Sequence, residues 1–592
     1  MSEYALRFTI ELLEDTHTGT GMGRLGLVDD TQSRDQHGRP VIWASTLRGL
    51  LREAGEDWLL NLEQAGTAQA QLASRRELLY RLFGPPMNKT VQGQRRGRGV
   101  CQIRSLRIDD RNQRRNGGSA TPEMFNQWTS TAREVHSRRP MEHTLRTVET
   151  AAAGLQLRGE IRWRCSADEA EQIAQSVQGC LQRITAVGSG KTRGLGRIRL
   201  CDVSCIEITE GTHADPQAEW LRPLQQMPAE TPVLLDVALR NLEPLLLVTT
   251  TYASNLNDSL DHLPGGTLRG AILHWIAERD STLSERLADP LQFRVTNAYV
   301  LDPEPLRDDQ PLASAVAASL GDWQTLPAPL SLRAFKAGVG PSVHPPAEQK
   351  PLPWWARADS SGDFLGQRDE RDAIAEVDRP DGTGLRKRIK ASEYLVRSGD
   401  GGAWRRVRPR MGVVLRNRVP TERIDPHDRG RDTQHGFQED ALFSEQVIWD
   451  GQVYLCRLWF ASREVAEHFG RLAAPLFTGD PATRSWLRVG RGGRPVRVEA
   501  SQWQAAPSAS SSPAADTSQP AAGADYVTVT LTSDLIGRTR WLTFATAPTT
   551  ADWLRWFRRA AQDAGIDLSL PKDDTITIDP DRTILETTDV YG

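Results

Sequence analysis

The sequence predicts an α+β protein made of two ferredoxin-like units in tandem, each RRM-like in its βαββαβ order and carrying long loop insertions. Three observations predict it. Residues 4–12 alternate, with Tyr4, Leu6, Phe8, Ile10 and Leu12 on one side and Ala5, Arg7, Thr9 and Glu11 on the other, which is the period of a half-buried strand. The strand–loop–helix unit that starts there returns where Val233, Leu235, Val237 and Leu239 alternate. Both copies close alike, with Gly188 to Arg197 before the strand Ile198 to Leu200, and Leu487 to Val496 in the second. Two copies of one supersecondary unit argue for duplicated domains.

In the first copy a Gly-rich loop, 19–26, and a polar stretch to Arg39 follow the strand. Pro40 to Ala44 then lead into Ser45 and Thr46, read as a natural N-cap. Leu47, Leu50, Leu51, Ala54 and Trp58 recur at helical spacing. An Arg- and His-rich segment, Arg133 to Glu149, precedes a strand over 154–163. In the second copy Thr267 is read as capping a helix that carries Leu268, Ile272 and Trp275, and Arg416 to Glu445 lead to a strand over 451–460. The expected divisions are a first domain over 1–210, a linker over 211–230 and a second domain over 231–504. The second domain holds a polar insertion at 340–410. A flexible Ala/Ser/Pro linker spans 505–524, and a strand and helix within 525–592 complete the second domain.

The apolar share is 39%, ordinary for a globular chain. No apolar run reaches the roughly 18 residues a membrane span needs. The opening Met-Ser-Glu-Tyr enters a strand at once, without the basic and apolar stretches of a secretory signal. The six cysteines are scattered and form no Cys-x-x-Cys; free thiols in a cytoplasmic protein are expected. A net charge of −3 excludes a uniformly basic nucleic-acid binder. The positive charge is nearly all arginine, clustered at 95–98, 111–115, 138–139, 405–410 and 488–497. Arginine forks onto phosphate and stacks on bases; solvated faces would be the plainer reading.

Three groups of residues carry candidate chemistry. Glycines free the backbone N–H groups of the loop Gly188 to Arg197, and Lys191 and Arg193 add charge, which suits a phosphate. A Walker A loop is excluded: Thr185 stands five residues before Gly190, where glycine is required, and a strand follows rather than a helix. The matched starts Ser45-Thr-Leu-Arg-Gly49 and Gly266-Thr-Leu-Arg-Gly270 offer helix N-termini with Arg48 and Arg269 beside them. Asp29, Asp30 and Asp35 lie in a polar loop, where they are ordinary turn residues or hold a divalent cation.

Taken together, these motifs resemble the RAMP superfamily of CRISPR-associated proteins. The resemblance rests on the two Thr-Leu-Arg-Gly helix starts after Pro40 and Pro264, the close at 188–197, and Phe83-Gly84 followed by Gln102 to Ile108. The first half is similar to the backbone subunit of type III complexes, with Val28 to Pro40 resembling its catalytic loop. The second half is similar to the subunit that caps the guide's five-prime tag in type III-D systems. Phe293 to Tyr299, Pro327 to Arg333, Arg423 to Asp425, Ala441 to Phe443 with Glu445, and Thr530 to Asp534 carry that likeness. Pro495 departs from it, standing where a small residue is expected.

The resemblance implies partners: guide RNA (crRNA), complementary target RNA and other effector subunits, with no membrane. It implies that Asp29, with Asp30 second, supports cutting of target RNA, with Asp29 on a divalent metal ion, Mg or Mn. Arg34, Ser45, Thr46, Arg48, Gly190, Lys191, Arg193, Gly194, Gly196, Thr267, Arg269, Arg423 and Arg491 would contact RNA. His136, Arg138 and Arg139 would sit, with His143, on a thumb wedged into the guide–target duplex. Two other readings remain open: a non-catalytic scaffold, and a metal-independent guide-processing endoribonuclease using histidine as base.

Overall fold

The computed structural model describes residues 2–24, 27–85, 99–108, 124–208 apart from 135 and 138, 214–248, 256–303, 306, 312–327, 442–480 and 484–506. It also describes the shorter stretches 332–335, 370–372, 386–388, 394–397 and 405–417, and the pair 555–556. Arg138, Arg423, the 505–524 linker apart from its first two residues, and Thr530 to Asp534 lie outside these residues.

The first half runs β1 (Ser2–Leu12), β2 (Val41–Ile42), α1 (Ala44–Gln64), α2 (Gln69–Phe83), β3 (Gln102–Ile103), β4 (Leu106–Ile108), β5 (Phe125–Ser130), β6 (Arg146–Ala151), β7 (Gln156–Cys165), α3 (Ala167–Gln182) and β8 (Ile198–Ile208). Its main sheet has the order β2-β4-β7-β1-β8, with β3 also on β7. β1 pairs antiparallel with β7, Ser2 opposite Cys165, and with β8, Leu12 opposite Ile198. The first strand is therefore central, flanked by the third and the fourth, and the second lies beyond the third. That is ferredoxin-like βαββαβ topology. The alternation forecast for β1 holds in part: Leu6, Phe8, Ile10 and Leu12 are buried in one cluster with Leu47, Leu51 and Ala54 of α1 and Ile173 and Val177 of α3, but Tyr4 is only partly buried and Ala5 and Thr9 on the opposite face are buried too. β5 and β6 form a separate two-stranded hairpin.

After α4 (Ala214–Gln225) the second half repeats the plan with β9 (Val233–Asn241), β10 (Leu256–Asn257), α5 (Gly265–Ala277), α6 (Ser281–Leu287), β11 (Phe293–Val295) and β12 (Tyr299–Asp302). Next come α7 (Ser314–Ala318) and the strands β13 (Gln324–Pro327), β14 (Leu332–Phe335), β15 (Glu370–Asp372), β16 (Arg386–Arg388), β17 (Tyr394–Arg397), β18 (Arg405–Val407), β19 (Met411–Asn417) and β20 (Leu442–Ile448). The core closes with β21 (Val453–Phe460), α8 (Arg463–Phe477), β22 (Leu487–Val489) and β23 (Arg494–Ala505). Its sheet order is β11-β21-β9-β23-β22, with β12 also on β21, the same second–third–first–fourth arrangement.

The repeat extends to detail. The second strand is split in both halves, β3/β4 and β11/β12. Both helix starts take their cap from the break in that strand. The Ala44 N–H donates to the Ser105 hydroxyl at 2.9 Å, and the Gly265 N–H donates to the Asn297 side-chain oxygen at 2.8 Å. This corrects the expected caps. The N-cap positions are Trp43 and Pro264, neither with a side-chain hydrogen bond, and Ser45, Thr46 and Thr267 lie inside the first turn. Proline and tryptophan bring no oxygen, so a distant side chain satisfies the first N–H instead. The polar 340–410 segment also differs from expectation. Tyr394, Leu395, Val396 and Val407 are buried, and Tyr394, Val396 and Val407 join the second core.

The two halves meet through buried polar contacts. Glu243, fully buried after β9, accepts from the Ser105 N–H at 2.8 Å and from the Ser105 hydroxyl. Arg107 lies 2.6 Å from Asp450, and Ser485 donates to Glu3 at 2.6 Å. Arg162, 2% exposed, donates to the Arg484 carbonyl and lies over the Trp486 ring at 3.6 Å. Trp43 stacks on Trp449 at 6.0 Å.

Candidate nucleic-acid interface

β1 ends at Leu12, and the chain then crosses to the β5–β6 hairpin. Thr16 and Ala151 exchange backbone hydrogen bonds at 2.9 and 2.7 Å. From here the loop to Pro40 is latched along β6. Asp29 N–H donates to the Thr147 carbonyl at 2.7 Å, and Thr147 N–H donates back to Asp29 Oδ2 at 2.7 Å. Glu149 N–H donates to the Asp30 carbonyl. The Glu149 carboxylate accepts from Gln32 N–H at 3.1 Å and from Arg34 Nη2 at 2.7 Å.

At the centre is His17, 4% exposed. Its Nδ1 lies 2.6 Å from the Glu149 carbonyl and its Nε2 3.1 Å from Asp30 Oδ2. Burial works against a charged ring, yet the Asp30 and Glu149 hydrogen bonds and charges outweigh it and hold the imidazole above its ordinary value. Both ring nitrogens face acceptors, an arrangement that favours the protonated ring.

The carboxylates of the loop have different surroundings. Asp30 is filled by His17 and by the Gly21 N–H at 2.9 Å. Asp35 is buried and accepts from the His37 and Arg39 N–H groups, with the Arg39 guanidinium at 3.1 Å: a turn anchor. Asp29 is exposed, and its Oδ1 meets no protein donor among the described residues.

The Gly-rich close lies directly beneath this latch. Ser189 N–H donates to the His17 carbonyl at 2.9 Å. Gly188, Gly190, Gly194 and Gly196 all take positive φ. At Gly196 an added Cβ would stand 2.2 Å from the Val187 carbonyl, so only glycine fits. Lys191 and Arg193 are exposed on a single 3-10 turn. β8 follows, so the exclusion of a Walker A loop stands.

Residues 9–199 match the RAMP superfamily. The match spans roughly a third of the chain. It contains the latched loop, the hairpin and the Gly-rich close together. No curated protein matches the chain. Among solved structures, one chain of a type III-B Cmr-beta complex bound to cognate target RNA is similar at 15% identity and a TM-score of 0.25. The match covers 35% of this chain and 61% of that one, less than two thirds of its length. A chain of the apo Cmr-beta complex is similar at 11% identity and a TM-score of 0.23, covering 33% of this chain and 96% of that one. These overlays are distant, and the fold assignment rests on the strand order.

Against the sequence-predicted residues, the first half gathers Asp29, Asp30, Arg34, Gly190, Lys191, Arg193, Gly194 and Gly196 around one loop and turn. Arg34, however, is engaged by protein: it pairs with Glu149 and lies 3.5 Å over the Phe125 ring. His136 and Arg139 are exposed between β5 and β6, as is His143 at φ 60. Arg269 is turned inward, donating to the Phe293, Leu287 and Ala288 carbonyls. It ties the end of α6 to α5, which gives the second Thr-Leu-Arg-Gly arginine a structural task. Arg48 reaches the equivalent carbonyl, Cys101, at 3.5 Å. Arg491 is exposed and donates to Asn257 Oδ1 at 3.2 Å. Sequence reading missed His17 and Glu149 as organisers. They lie 132 residues apart, and no local spacing marks them as partners.

The candidate position for a divalent ion is the exposed carboxylate of Asp29. Among the described residues no three His, Cys, Asp or Glu side chains converge as a metal cage. A magnesium ion is often held by one or two carboxylates plus substrate phosphates, and Asp29 offers one exposed carboxylate oxygen for that. Among the described residues no helix is long and apolar enough to cross a membrane.

Proposed function

We propose that the chain is an RNA-binding subunit of a type III CRISPR effector complex, holding guide RNA and presenting Asp29 to the guide-paired target. The RAMP-superfamily match over 9–199 carries this reading. The second ferredoxin-like core, built on the same plan, supports a partner module for the same guide, in the manner of a capping subunit. Asp29 supports the cutting role because it is the exposed carboxylate of a loop whose other aspartates are committed to His17, Gly21 and Arg39. A divalent ion on Asp29 would supply charge neutralisation at the scissile phosphate. The chain's own residues supply placement. Thr147 fixes Asp29, His17 and Glu149 fix the loop, and the exposed hairpin tip with His136 and Arg139 splays the target so that a 2′-hydroxyl lines up with its phosphate.

A non-catalytic scaffold is the second reading, favoured by the lack of a converged metal cage among the described residues. Asp29→Ala in the assembled complex separates the two. The nuclease reading expects target cleavage to fall about a hundredfold or more while guide binding stays unchanged. Unchanged cleavage at every site would leave the scaffold. The RNA-binding reading itself is tested by whether the chain copurifies with a small RNA of fixed five-prime sequence.

A further inference from the structure

The loop that carries Asp29 is anchored at two ends. At Asp29 the anchor is β6, through Thr147. At the other end it is Asp35, whose side chain is 1% exposed. Asp35 Oδ1 accepts from the His37 and Arg39 N–H groups at 2.9 and 3.0 Å. The turn it closes leads back into β2, where the Val41 N–H donates to the Ser33 carbonyl at 3.1 Å. The segment between the anchors has little slack, because Asp30, Gln32 and Arg34 are each bonded to Glu149. A displacement at Asp35 is therefore carried along the loop towards Asp29.

The charge facing Asp35 is steadied by the other half of the chain. Asp35 Oδ2 meets the Arg39 guanidinium at 3.1 Å and Arg107 Nη1 at 4.0 Å. Arg107 lies on β4, and its Nη2 is 2.6 Å from Asp450 Oδ2 and 4.0 Å from Glu243 Oε1, both from the second half. The Arg107 side chain is 10% exposed and that of Asp450 5%, so salt and water screen these charges poorly. Asp450 is itself held in place. It stands in the turn between β20 and β21, where the Trp449 carbonyl accepts from the Asn241 and Gln452 side chains at 2.8 and 2.7 Å. The Gly451 N–H donates to the Asn241 carbonyl at 2.7 Å. Trp449 also lies against Gly412 of β19, where an added Cβ would stand 2.2 Å from its Nε1. This turn is the base of the β19–β20 hairpin, the counterpart of β5–β6 in the repeat. Without the Asp450 charge, the balance around the buried Arg107 shifts towards Asp35 and Glu243. A guanidinium drawn to Asp35 competes with Arg39 for the same oxygen, and the turn that Asp35 closes loosens.

We propose that Asp450 is a positioning residue for Asp29: through Arg107 and Asp35, the base of the second half's hairpin sets the loop that the first half presents to RNA. Its effect on cleavage rests on the cutting reading, whereas the coupling of the halves rests on the ion cluster alone. The first half is then competent to cut only while the second half is seated against it.

Amide hydrogen exchange of the full chain, read by mass spectrometry, tests the coupling, and target cleavage in the assembled complex tests its consequence. Asp450→Asn keeps the size of the side chain and one carbonyl oxygen and loses the charge. It should speed exchange across 28–41 about tenfold, with β1 and α3 exchanging as in the wild type. Ser485→Ala removes the contact to Glu3, which belongs to the same junction and does not touch the loop; exchange across 28–41 should stay as in the wild type. Arg107→Gln should speed that exchange by itself, and Asp450→Asn added to it should change nothing further, since the two lie on one path. In the complex, Asp450→Asn should lower the single-turnover cleavage rate about tenfold and leave target affinity unchanged; a general loss of structure would lower both. Wild-type exchange across 28–41 in Asp450→Asn overturns the proposal, as do an equal effect from Ser485→Ala and an additive effect with Arg107→Gln. Faster exchange with undiminished cleavage, in a complex that Asp29→Ala disables, also overturns it. Faster exchange in a complex whose cleavage Asp29→Ala leaves unchanged upholds the coupling and overturns the cutting reading instead.

Discussion

Asp29 and Asp30 are adjacent in sequence and opposite in circumstance. Asp30 has both oxygens satisfied by His17 and Gly21, whereas Asp29 shows one oxygen to solvent. Under the proposed cutting role, Asp29→Asn should therefore remove cleavage of target RNA with little effect on the fold, whereas Asp30→Asn should loosen the latch. His17 supplies the pH test. Its folded proton affinity is raised above the ordinary value, which for an unfolded chain is about 6.5. The stabilisation is thus complete below that pH and is lost as pH rises through the folded pKa. The wild-type melting temperature should fall as pH rises through neutrality, and His17→Gln should flatten that part of the profile. Thermal melts at a series of pH values check this; parallel profiles for the two proteins would mean the charged imidazole does not hold the latch.

At the scale of elements, the parts with strong local signals were legible and those set by distant partners were not. β1, β9, α1 and α5 announced themselves by period. The split second strands did not, because two- and three-residue strands carry no period. The caps from Ser105 and Asn297 were also hidden, since they come from another element. β17 escaped notice because three buried residues, Tyr394 to Val396, sit in a polar surrounding. In the candidate site the glycines at 188–196 were read as freeing backbone N–H groups for a phosphate, and the four of them take positive φ. Gly196 and Gly194 now separate two causes. Both have φ of 82°, but a Cβ meets the Val187 carbonyl at 2.2 Å in the first and open space in the second. Gly194→Ala should cost about 1 kcal/mol from backbone strain alone, and Gly196→Ala about 3 kcal/mol. Urea midpoints read the difference; equal costs would mean the turn relaxes around the added methyl.

For the whole molecule the question is whether two ferredoxin-like cores behave as one body. Interfaces within a chain are commonly loose enough to allow relative motion. This one is different, because its polar groups are buried and mutually dependent. Glu243 comes from the second half and is 0% exposed. It accepts two hydrogen bonds from Ser105 and has the Arg104 and Arg107 guanidinium groups at 4.0 Å. Arg107 in turn holds Asp450, and the Ser105 hydroxyl also caps α1. Removing Glu243 takes the acceptor from the Ser105 N–H and a carboxylate from beside two buried guanidinium groups, and it disturbs a helix start in the other half. Breaking one partner of a buried charged set costs about 3 kcal/mol, more than a rim contact supplies. The wild type should therefore melt with its two cores in a single transition. Glu243→Ala should split that transition into two and open the 209–232 connection to protease. A single, unshifted transition in Glu243→Ala would show that apolar contacts such as Trp43 on Trp449 hold the halves together without this network.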